Sequence, residues 1–239
     1  MCDILGSQHH SVSITYMTDF RLGFPKYVGE VDNIVLPSEK FAVYYETLSD
    51  KNLYLGSPKY DYPIDRKDVY VHYGLDERKK YCLVMYPKAR DRHKIDLPRV
   101  LQNAKALGYE PIIKHRGKDS PSRIPGCQMF SDVRWNPHTT LELLKVCDFV
   151  INTGSTTVKE AVMSEVPILN FGIKAHHKHL GFLYNYHFCV DKVGYTEAEL
   201  RDAMTYLAEH DFNEEFAICK QNDLFVGSST NRILDHFNA

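Results

Sequence analysis

The stretch Asp148-Phe-Val-Ile-Asn-Thr-Gly-Ser-Thr-Thr-Val-Lys-Glu-Ala-Val-Met-Ser-Glu-Val-Pro167 decides the fold expected for this chain. Its apolar run 149–151 is typical of a buried strand that ends at Asn152, and residues 156–164 are expected to be helical. The turn between them, 153–157, is rich in hydroxyl groups and contains Gly154. A strand that passes through a tight turn directly into a helix is typical of parallel α/β sheets.

The sequence on both sides of this stretch repeats the alternation of strand and helix. Short apolar runs bounded by proline, glycine or charge predict further strands at 81–86, 111–114, 127–130, 166–171 and 186–190. Apolar residues at helical spacing predict helices at 97–107 and around 141–145. Thr196, with Glu199 three residues later, predicts a capping box that opens a helix over 196–209. Residues 79–239 are therefore predicted to form a Rossmann-like, doubly wound parallel sheet.

The first part of the chain has a different pattern. Strands are expected at 14–17, 33–36 and 53–55, with a helix from Ser38 to about Leu48. These elements are too few for an independent doubly wound domain, so residues 1–58 are predicted to form a small, incomplete α/β lobe. Residues 59–78, charged and rich in Tyr and Asp, are predicted to be a linker.

Composition restricts the function classes. The 239 residues are 44% hydrophobic and 25% charged, and the net charge of −2 argues against a nucleic-acid binder that works by bulk charge. The six cysteines are scattered singly without a CxxC motif, which favours a reducing, cytoplasmic location over a disulfide scaffold. No apolar run approaches 18 residues and no signal peptide is evident, so we expect no membrane span.

The turn at 153–157 also has the chemistry of a phosphate site. The first N–H groups of a helix lack intrahelical partners, and the helix dipole favours an anion. Gly154 allows close approach of the backbone, Ser155, Thr156 and Thr157 add donors, and Glu160 is placed to accept hydrogen bonds from ribose hydroxyls. The same residue types also serve as ordinary helix caps, and the residues alone leave both interpretations open.

The segment Thr153-Gly-Ser-Thr-Thr-Val-Lys-Glu-Ala161, followed by Val166-Pro-Ile-Leu169, resembles the donor-site signature of GT-B nucleotide-sugar glycosyltransferases. Its spacing is most similar to that of the peptidoglycan GlcNAc transferases and the plant galactolipid synthases. The resemblance is strong over 140–172 and weak elsewhere in 15–239. It implies that Gly154, Ser155, Thr156 and Thr157 contact the diphosphate of a nucleotide sugar and that Glu160 binds its ribose.

The resemblance indicates the fold better than the reaction. Cytidylyl-linked polyol-phosphate transferases and non-hydrolysing UDP-GlcNAc 2-epimerases share this architecture. The nucleotide sugar, with UDP as the preferred carrier, would be a substrate, and no cofactor is expected.

Basic residues add to the expected phosphate site. Between residues 85 and 123 there are ten Lys and Arg against four acids, which concentrates positive potential. Lys88 and Arg90 follow one predicted strand and Lys114 ends the next, so all three belong to the same rim as the Gly154 turn. Trp135 lies in a loop that the resemblance implies packs against the nucleotide base, and a packed loop anchor is the alternative.

The remaining candidates concern the donor sugar and the catalytic base. The loop after residue 171 contains His176 and His177, and with Asn185 it is placed to meet the donor sugar. The histidines at 176, 177 and 179 lack a nearby Cys or acid and fit no zinc spacing, so the site is expected to work without a metal. An inverting transferase needs a base for the acceptor hydroxyl, and His10 and Asp19 are the candidates.

The sequence therefore predicts a metal-independent GT-B glycosyltransferase that moves a sugar from a UDP-linked donor to an unknown acceptor. A complete GT-B enzyme has a fuller N-terminal domain, so the first alternative is a non-catalytic donor-binding subunit that needs an acceptor-domain partner. A second alternative is a UDP-sugar 2-epimerase-like enzyme. A homo-oligomer is also compatible with the sequence.

Overall fold

The computed structural model describes residues 2–4, 10–14, 33–39, 50–88, 92, 95–115, 123–131, 138–155, 157–172, 183, 185–224 and 227–238. The chain divides into two compact units. The first contains residues 1–62 and 218–239, and the second contains residues 63–217.

The elements alternate along most of the chain. The strands are β1 (Cys2–Ile4), β2 (His10–Ile14), β3 (Asn33–Leu36), β4 (Asn52–Tyr54), β5 (Lys80–Met85), β6 (Tyr109–His115), β7 (Gln128–Ser131), β8 (Phe149–Asn152), β9 (Ile168–Phe171) and β10 (Cys189–Lys192). The helices are α1 (Arg66–Tyr73), α2 (Leu97–Ala106), α3 (Thr139–Leu144), α4 (Val158–Met163), α5 (Glu197–Glu209), α6 (Asn213–Cys219) and α7 (Ser229–Asn238). A short 3-10 helix at Pro58–Tyr60 and a π-helical stretch at Lys220–Leu224 complete the described elements.

The first unit is a four-stranded sheet in the order β1-β2-β3-β4. The β1–β2 pair is antiparallel, whereas β2, β3 and β4 are parallel to one another. Val35 of β3 and Ile233 of α7 form a buried cluster in this unit, and Leu53, Leu55 and Phe237 pack against them. The last helix of the chain therefore packs on the strands of the first part.

The second unit is a six-stranded, fully parallel sheet in the order β10-β9-β8-β5-β6-β7. Its central strands are continuous apolar runs in which every residue from Tyr81 to Met85 and from Phe149 to Asn152 is buried. Such runs are typical of parallel strands covered by helices on both faces. The predicted α/β, Rossmann-like sheet is confirmed.

The segment predicted to be a linker, 59–78, contains helix α1. Val69, Tyr70 and Tyr73 of this helix are buried, Asp65 caps its start and Gly74 ends it at φ +63°. The run of charged residues at the start of this helix, 66–68, conceals its apolar face in the sequence. The structure also groups 218–239 with the first unit, so the division differs from the predicted one of 1–58, 59–78 and 79–239.

Several predicted boundaries in the second unit are shifted, by up to three residues. The last strand of the sheet begins at Cys189 and not at Tyr186, because the carboxylate of Glu215 accepts hydrogen bonds from the main-chain N–H groups of His187 and Phe188. Helix α4 begins at Val158, two residues later than predicted. The predicted helix after Ser38 and residues 15–17 of the first predicted strand lie outside the described residues.

The predicted capping box at the start of α5 is confirmed. The Thr196 hydroxyl accepts a hydrogen bond from the Glu199 N–H, and the Glu199 carboxylate accepts one from the Thr196 N–H. A hydrogen bond from the Lys192 ammonium, followed by those from Thr196, lowers the pKa of Glu199 to about 2. The contribution of this carboxylate to stability is therefore present above its ordinary pKa of 4.5 and is lost as the pH falls toward 2.

Among the residues that the structure describes, no helix combines the length and the apolar composition needed to cross a bilayer.

We expect Thr196→Ala to lower the free energy of unfolding by about 1 kcal/mol at neutral pH, because it leaves an N–H group of the first helical turn without its acceptor. Urea denaturation followed by circular dichroism measures the change. Thr196→Ser, which keeps the hydroxyl, is the control and should stay close to the wild type. Equal stability of the alanine and serine variants would contradict the structural role of the cap.

Candidate functional site

The order of the parallel sheet reverses between β5 and β8. From β5 the chain proceeds outward through β6 to β7, returns to place β8 on the other side of β5, and proceeds outward again through β9 to β10. At such a reversal the connections after the two central strands leave in opposite directions, so a crevice opens beyond the carboxyl ends. The fold thus predicts a ligand site after Met85 and Asn152.

A pocket lies at this position. Its lining residues come from the end of β5 and the segment after it, from the end of β6, and from the turn after β8: Met85, Tyr86, Lys88, Lys114, Thr153, Gly154 and Ser155. The pocket is open to solvent, and its empty space of about 280 Å³ includes part of that solvent. Three separate segments of chain therefore converge on one concave surface.

Two hydrogen bonds fix the walls of the pocket relative to each other. The Thr153 hydroxyl donates to the carbonyl oxygen of Met85 at 2.5 Å, which ties the end of β8 to the end of β5. The Tyr86 N–H donates to the carbonyl oxygen of Lys114 at 2.9 Å, which continues the β5–β6 pairing beyond the last strand residue. The pocket is consequently built on the sheet itself.

The turn after β8 has a left-handed residue where it lines the pocket. Gly154 has φ +90°, and a Cβ atom built on it would meet no other atom within 4 Å. Glycine is thus favoured here by backbone conformation and not by crowding. The missing side chain leaves the main chain of the turn accessible from the pocket.

The hydroxyl groups of the turn bond to one another. The Ser155 and Thr157 hydroxyl oxygens are 2.8 Å apart, and the Thr157 N–H donates to Ser155 Oγ at 3.4 Å. The α4 helix that follows has six residues, and its N-cap, Thr157, makes no side-chain capping bond. The polar character of the site therefore depends on the turn and on the lysines more than on a long helix.

The two lysines give the pocket its charge. Lys114 is 5% exposed, and Lys88 is half-buried in the segment after β5. An anion interacts more strongly with ammonium groups that are shielded from water than with fully exposed ones. Together with hydroxyl donors, this arrangement can bind a phosphate or diphosphate.

The structure brings together four residues predicted from the sequence, namely Lys88, Lys114, Gly154 and Ser155. Thr157 is buried behind the turn, and Glu160 is half-buried in the first turn of α4, and neither belongs to the lining. Their roles toward diphosphate and ribose stay predictions. Asn185 is exposed and is also absent from the lining, so its role toward a donor sugar stays a prediction as well.

Several other predicted residues cannot be placed. Asp19, Arg90, Trp135, Thr156, His176 and His177 lie outside the described residues, and His10 is described only as part of strand β2. The two candidates for the catalytic base therefore stay predictions. Within the described ranges, no group of three His, Cys, Asp or Glu side chains is arranged to hold a metal ion.

Three residues that line the pocket were not predicted as site residues from the sequence, namely Met85, Tyr86 and Thr153. Thr153 belongs to the hydroxyl-rich turn, and Tyr86 is the last residue of a predicted strand, so position alone was the available signal. The Tyr86 ring also lies 4.9 Å from the guanidinium carbon of Arg92, which adds a cation–π contact beside the pocket.

No protein family and no curated protein matches this sequence. Its fold is similar to those of several solved structures. The wall teichoic acid polymerase TagF, in a variant soaked with CDPG, superimposes with a TM-score of 0.63 and 14% identity over 96% of this chain and 63% of that one.

Two further structures of similar fold are named for other activities. UDP-GlcNAc 2-epimerase from Methanocaldococcus jannaschii, in complex with UDP-GlcNAc and UDP, has a TM-score of 0.56 and 14% identity over 87% of this chain and 61% of that one. The glycotransferase of kitacinnamycin has a TM-score of 0.57 and 11% identity over 87% and 55%. The chain thus spans 55 to 63% of the length of these three proteins and has a GT-B-like fold.

Proposed function

We propose that this chain binds the diphosphate of a nucleotide sugar in the pocket between β5 and β8 and acts as a glycosyltransferase. The observation that carries the proposal is the convergence of Lys88, Lys114 and the Gly154 turn on one pocket at the point where the strand order reverses. Open α/β sheets bind their ligands at this point.

The chemistry of sugar transfer explains why positive charge is needed there. The bond between the anomeric carbon of the sugar and the diphosphate oxygen breaks, and the bonding electrons pass to the diphosphate. The acceptor hydroxyl forms the new bond and loses its proton to a base, for which His10 and Asp19 are the candidates. Ammonium and hydroxyl donors already in place around the departing diphosphate stabilise the charge that develops on it.

Lys88 and Lys114 would perform this role without a metal ion. Lys114 lies in a largely buried position, where electrostatic interactions are stronger than in water. The Ser155 hydroxyl adds a neutral donor beside them. In this proposal Glu160 binds ribose, Trp135 packs on the base, and His176, His177 and Asn185 meet the sugar.

The carrier nucleotide is proposed to be UDP. Two structures of similar fold are named for different nucleotide ligands, UDP-GlcNAc and UDP in one and CDPG in the other. The choice between uridine and cytidine therefore needs a direct test.

A sugar-nucleotide epimerase is the second candidate, because a UDP-GlcNAc 2-epimerase is among the structures of similar fold. The two reactions differ in their need for an acceptor. An epimerase would invert UDP-GlcNAc when it is the sole substrate, whereas a transferase would leave the sugar configuration at C2 unchanged and would require an acceptor.

We also propose a reducing, cytoplasmic location, on the basis of the free thiols of Cys82, Cys147, Cys189 and Cys219. An acceptor-domain partner, or a second copy of this chain, would supply any part of the acceptor site that this chain does not provide.

A thermal-shift panel of UDP, CDP, GDP and dTDP with their sugars, with and without Mg²⁺, tests the proposal directly. A ligand at 100 times its dissociation constant stabilises the folded protein by about 2.7 kcal/mol, which gives a readily measured shift. We expect UDP compounds to give the largest shift and Mg²⁺ to change it little. A folded protein that responds to no member of the panel would contradict the proposal.

We expect Lys114→Met to weaken UDP binding about ten- to a hundredfold, because it removes a charged donor to the diphosphate. The variant should remain folded, because methionine is an unbranched side chain of similar length that adapts to the same space. Isothermal titration calorimetry and urea denaturation measure the two effects.

Lys79→Met is the matched control for this variant. Lys79 directly precedes β5 at the amino edge of the sheet and pairs with Glu110 there, so the same charge is lost at the opposite edge. UDP binding to this control should remain within about twofold of the wild type. Equal weakening in both variants would indicate a general charge effect and would contradict the site.

Glu160→Ala is expected to weaken UDP binding about tenfold and to leave the binding of inorganic pyrophosphate unchanged, because pyrophosphate lacks the ribose that this carboxylate would hold. Calorimetry with both ligands makes the comparison. Glu209→Ala, which removes an exposed carboxylate at the end of α5, is the control. Parallel loss of UDP and pyrophosphate binding would contradict the ribose assignment.

A further inference from the structure

Two fully buried asparagines lie side by side beneath the pocket. Asn152 ends β8, Asn170 is its register partner on β9, and both are 0% exposed. Their neighbours along these strands, from Phe149 to Ile151 and from Ile168 to Leu169, are apolar and buried. The pair is thus an amide cluster inside an otherwise apolar part of the sheet.

The side chain of Asn152 holds both main-chain polar groups of Ser155. Its Oδ1 accepts a hydrogen bond from the Ser155 N–H at 3.1 Å, and its Nδ2 donates to the Ser155 carbonyl oxygen at 2.9 Å. The same Nδ2 donates to Asn170 Oδ1 at 3.0 Å. One amide therefore fixes the residue that carries a hydroxyl in the pocket lining.

Asn170 is itself held from the other side. Its Nδ2 donates to the sulfur of Cys189 at 3.0 Å, and its main-chain carbonyl oxygen accepts a hydrogen bond from the Tyr195 hydroxyl at 2.9 Å. With the amide nitrogen engaged by Cys189, Oδ1 faces Asn152. The network extends from the site turn through the end of β8 and through Asn170 of β9 to Cys189, the first residue of β10.

Packing alone does not account for these residue types. Apolar side chains of similar size would fill both positions without the cost of desolvating an amide, which a buried polar group recovers only through hydrogen bonds. A fully bonded buried network does, however, impose one geometry on the groups it joins. Here the group at its end is the turn that follows β8.

We propose that Asn152, supported by Asn170, is the positioning residue of the pocket, which holds the 153–155 turn in the conformation that binds an anion. The proposal rests on the proposed function, since the anion is the diphosphate of the donor. It also assigns the donors within the turn. Because the Ser155 N–H is bonded to Asn152, the donor that Ser155 can offer to the anion is its hydroxyl, with the Thr157 hydroxyl as the donor of the bond between these two side chains.

The test compares two buried asparagines. Asn103 on α2 is 2% exposed, donates to the Arg99 carbonyl oxygen and accepts from the Arg201 side chain, and it does not line the pocket. Asn103→Ala therefore makes the same chemical change as Asn152→Ala at a site that is equally buried and hydrogen-bonded. Urea denaturation of both variants measures the structural cost of losing a buried amide.

Calorimetry with inorganic pyrophosphate measures the effect on the anion site. We expect Asn152→Ala to bind pyrophosphate at least about tenfold more weakly than the wild type, and Asn103→Ala to bind within about twofold. Binding by Asn152→Ala within twofold of the wild type would overturn the proposal. Equal weakening in the two variants would overturn it too, because it would reflect general destabilisation.

Amide hydrogen exchange gives a readout that does not depend on any ligand. The Ser155 N–H should exchange slowly in the wild type and rapidly in Asn152→Ala, while the amides of β5 and β6 keep their protection. A Ser155 amide that exchanges equally in both proteins would overturn the proposal. If the wild type fails to bind pyrophosphate, the proposed function is overturned, and the exchange experiment still decides whether Asn152 fixes the turn.

Asn170→Ala covers the case in which Asn152→Ala does not fold. This variant leaves both bonds from Asn152 to Ser155 in place and removes only their support, so we expect a smaller loss of pyrophosphate affinity, about threefold. Unchanged affinity together with unchanged Ser155 exchange in Asn170→Ala would overturn the supporting role of Asn170.

Discussion

The pairing of β8 with β5 is the constraint on which the remainder of the second unit depends. Three register pairs, from Cys82 with Phe149 to Val84 with Ile151, place a later strand against the first strand of this sheet. Because β6 already occupies the other side of β5, the chain must proceed in opposite directions from the two central strands. The crevice, the convergence of three chain segments and the position of the glycine turn all follow from this arrangement.

Charge and hydrogen bonding are divided between the two sides of that crevice. The β5–β6 side supplies ammonium groups, through Lys88 and Lys114, and the β8 side supplies a polar turn whose geometry is held by buried amides. The bond from Thr153 to Met85 joins the two sides at their base. An anion in the pocket would therefore meet ammonium groups on one side and the hydroxyl donor of a fixed turn on the other.

The sheet could be predicted from the sequence because its strands are short apolar runs with clear ends. The same reasoning located Lys88, Lys114 and the Gly154 turn, since the carboxyl ends of parallel strands share one edge. Helix α1 was missed because it starts with a run of charged residues, 66–68, and its buried face consists largely of tyrosines.

Interactions between residues distant in sequence account for the other differences. The late start of β10 depends on Glu215, which is 27 residues away from Phe188. The pairing of Asn152 with Asn170 depends on the register between β8 and β9, which could not be inferred from the residue pattern. The predicted roles of residues that would contact the ribose, base and sugar depend on the identity of the ligand. Hydrophobic patterns in the sequence carry no information about that ligand.

The bond between Thr153 and Met85 has a consequence for the order of folding. These two residues are 68 positions apart in the chain, so their contact closes a long loop that includes β6 and β7. Closing such a loop costs chain entropy that local contacts do not recover, and parallel pairings of this kind form slowly. During synthesis, β5, β6 and β7 emerge from the ribosome well before the turn at 153–155. The pocket therefore cannot form before β8 is in place, and a chain that ends before residue 149 has the lysines but no site.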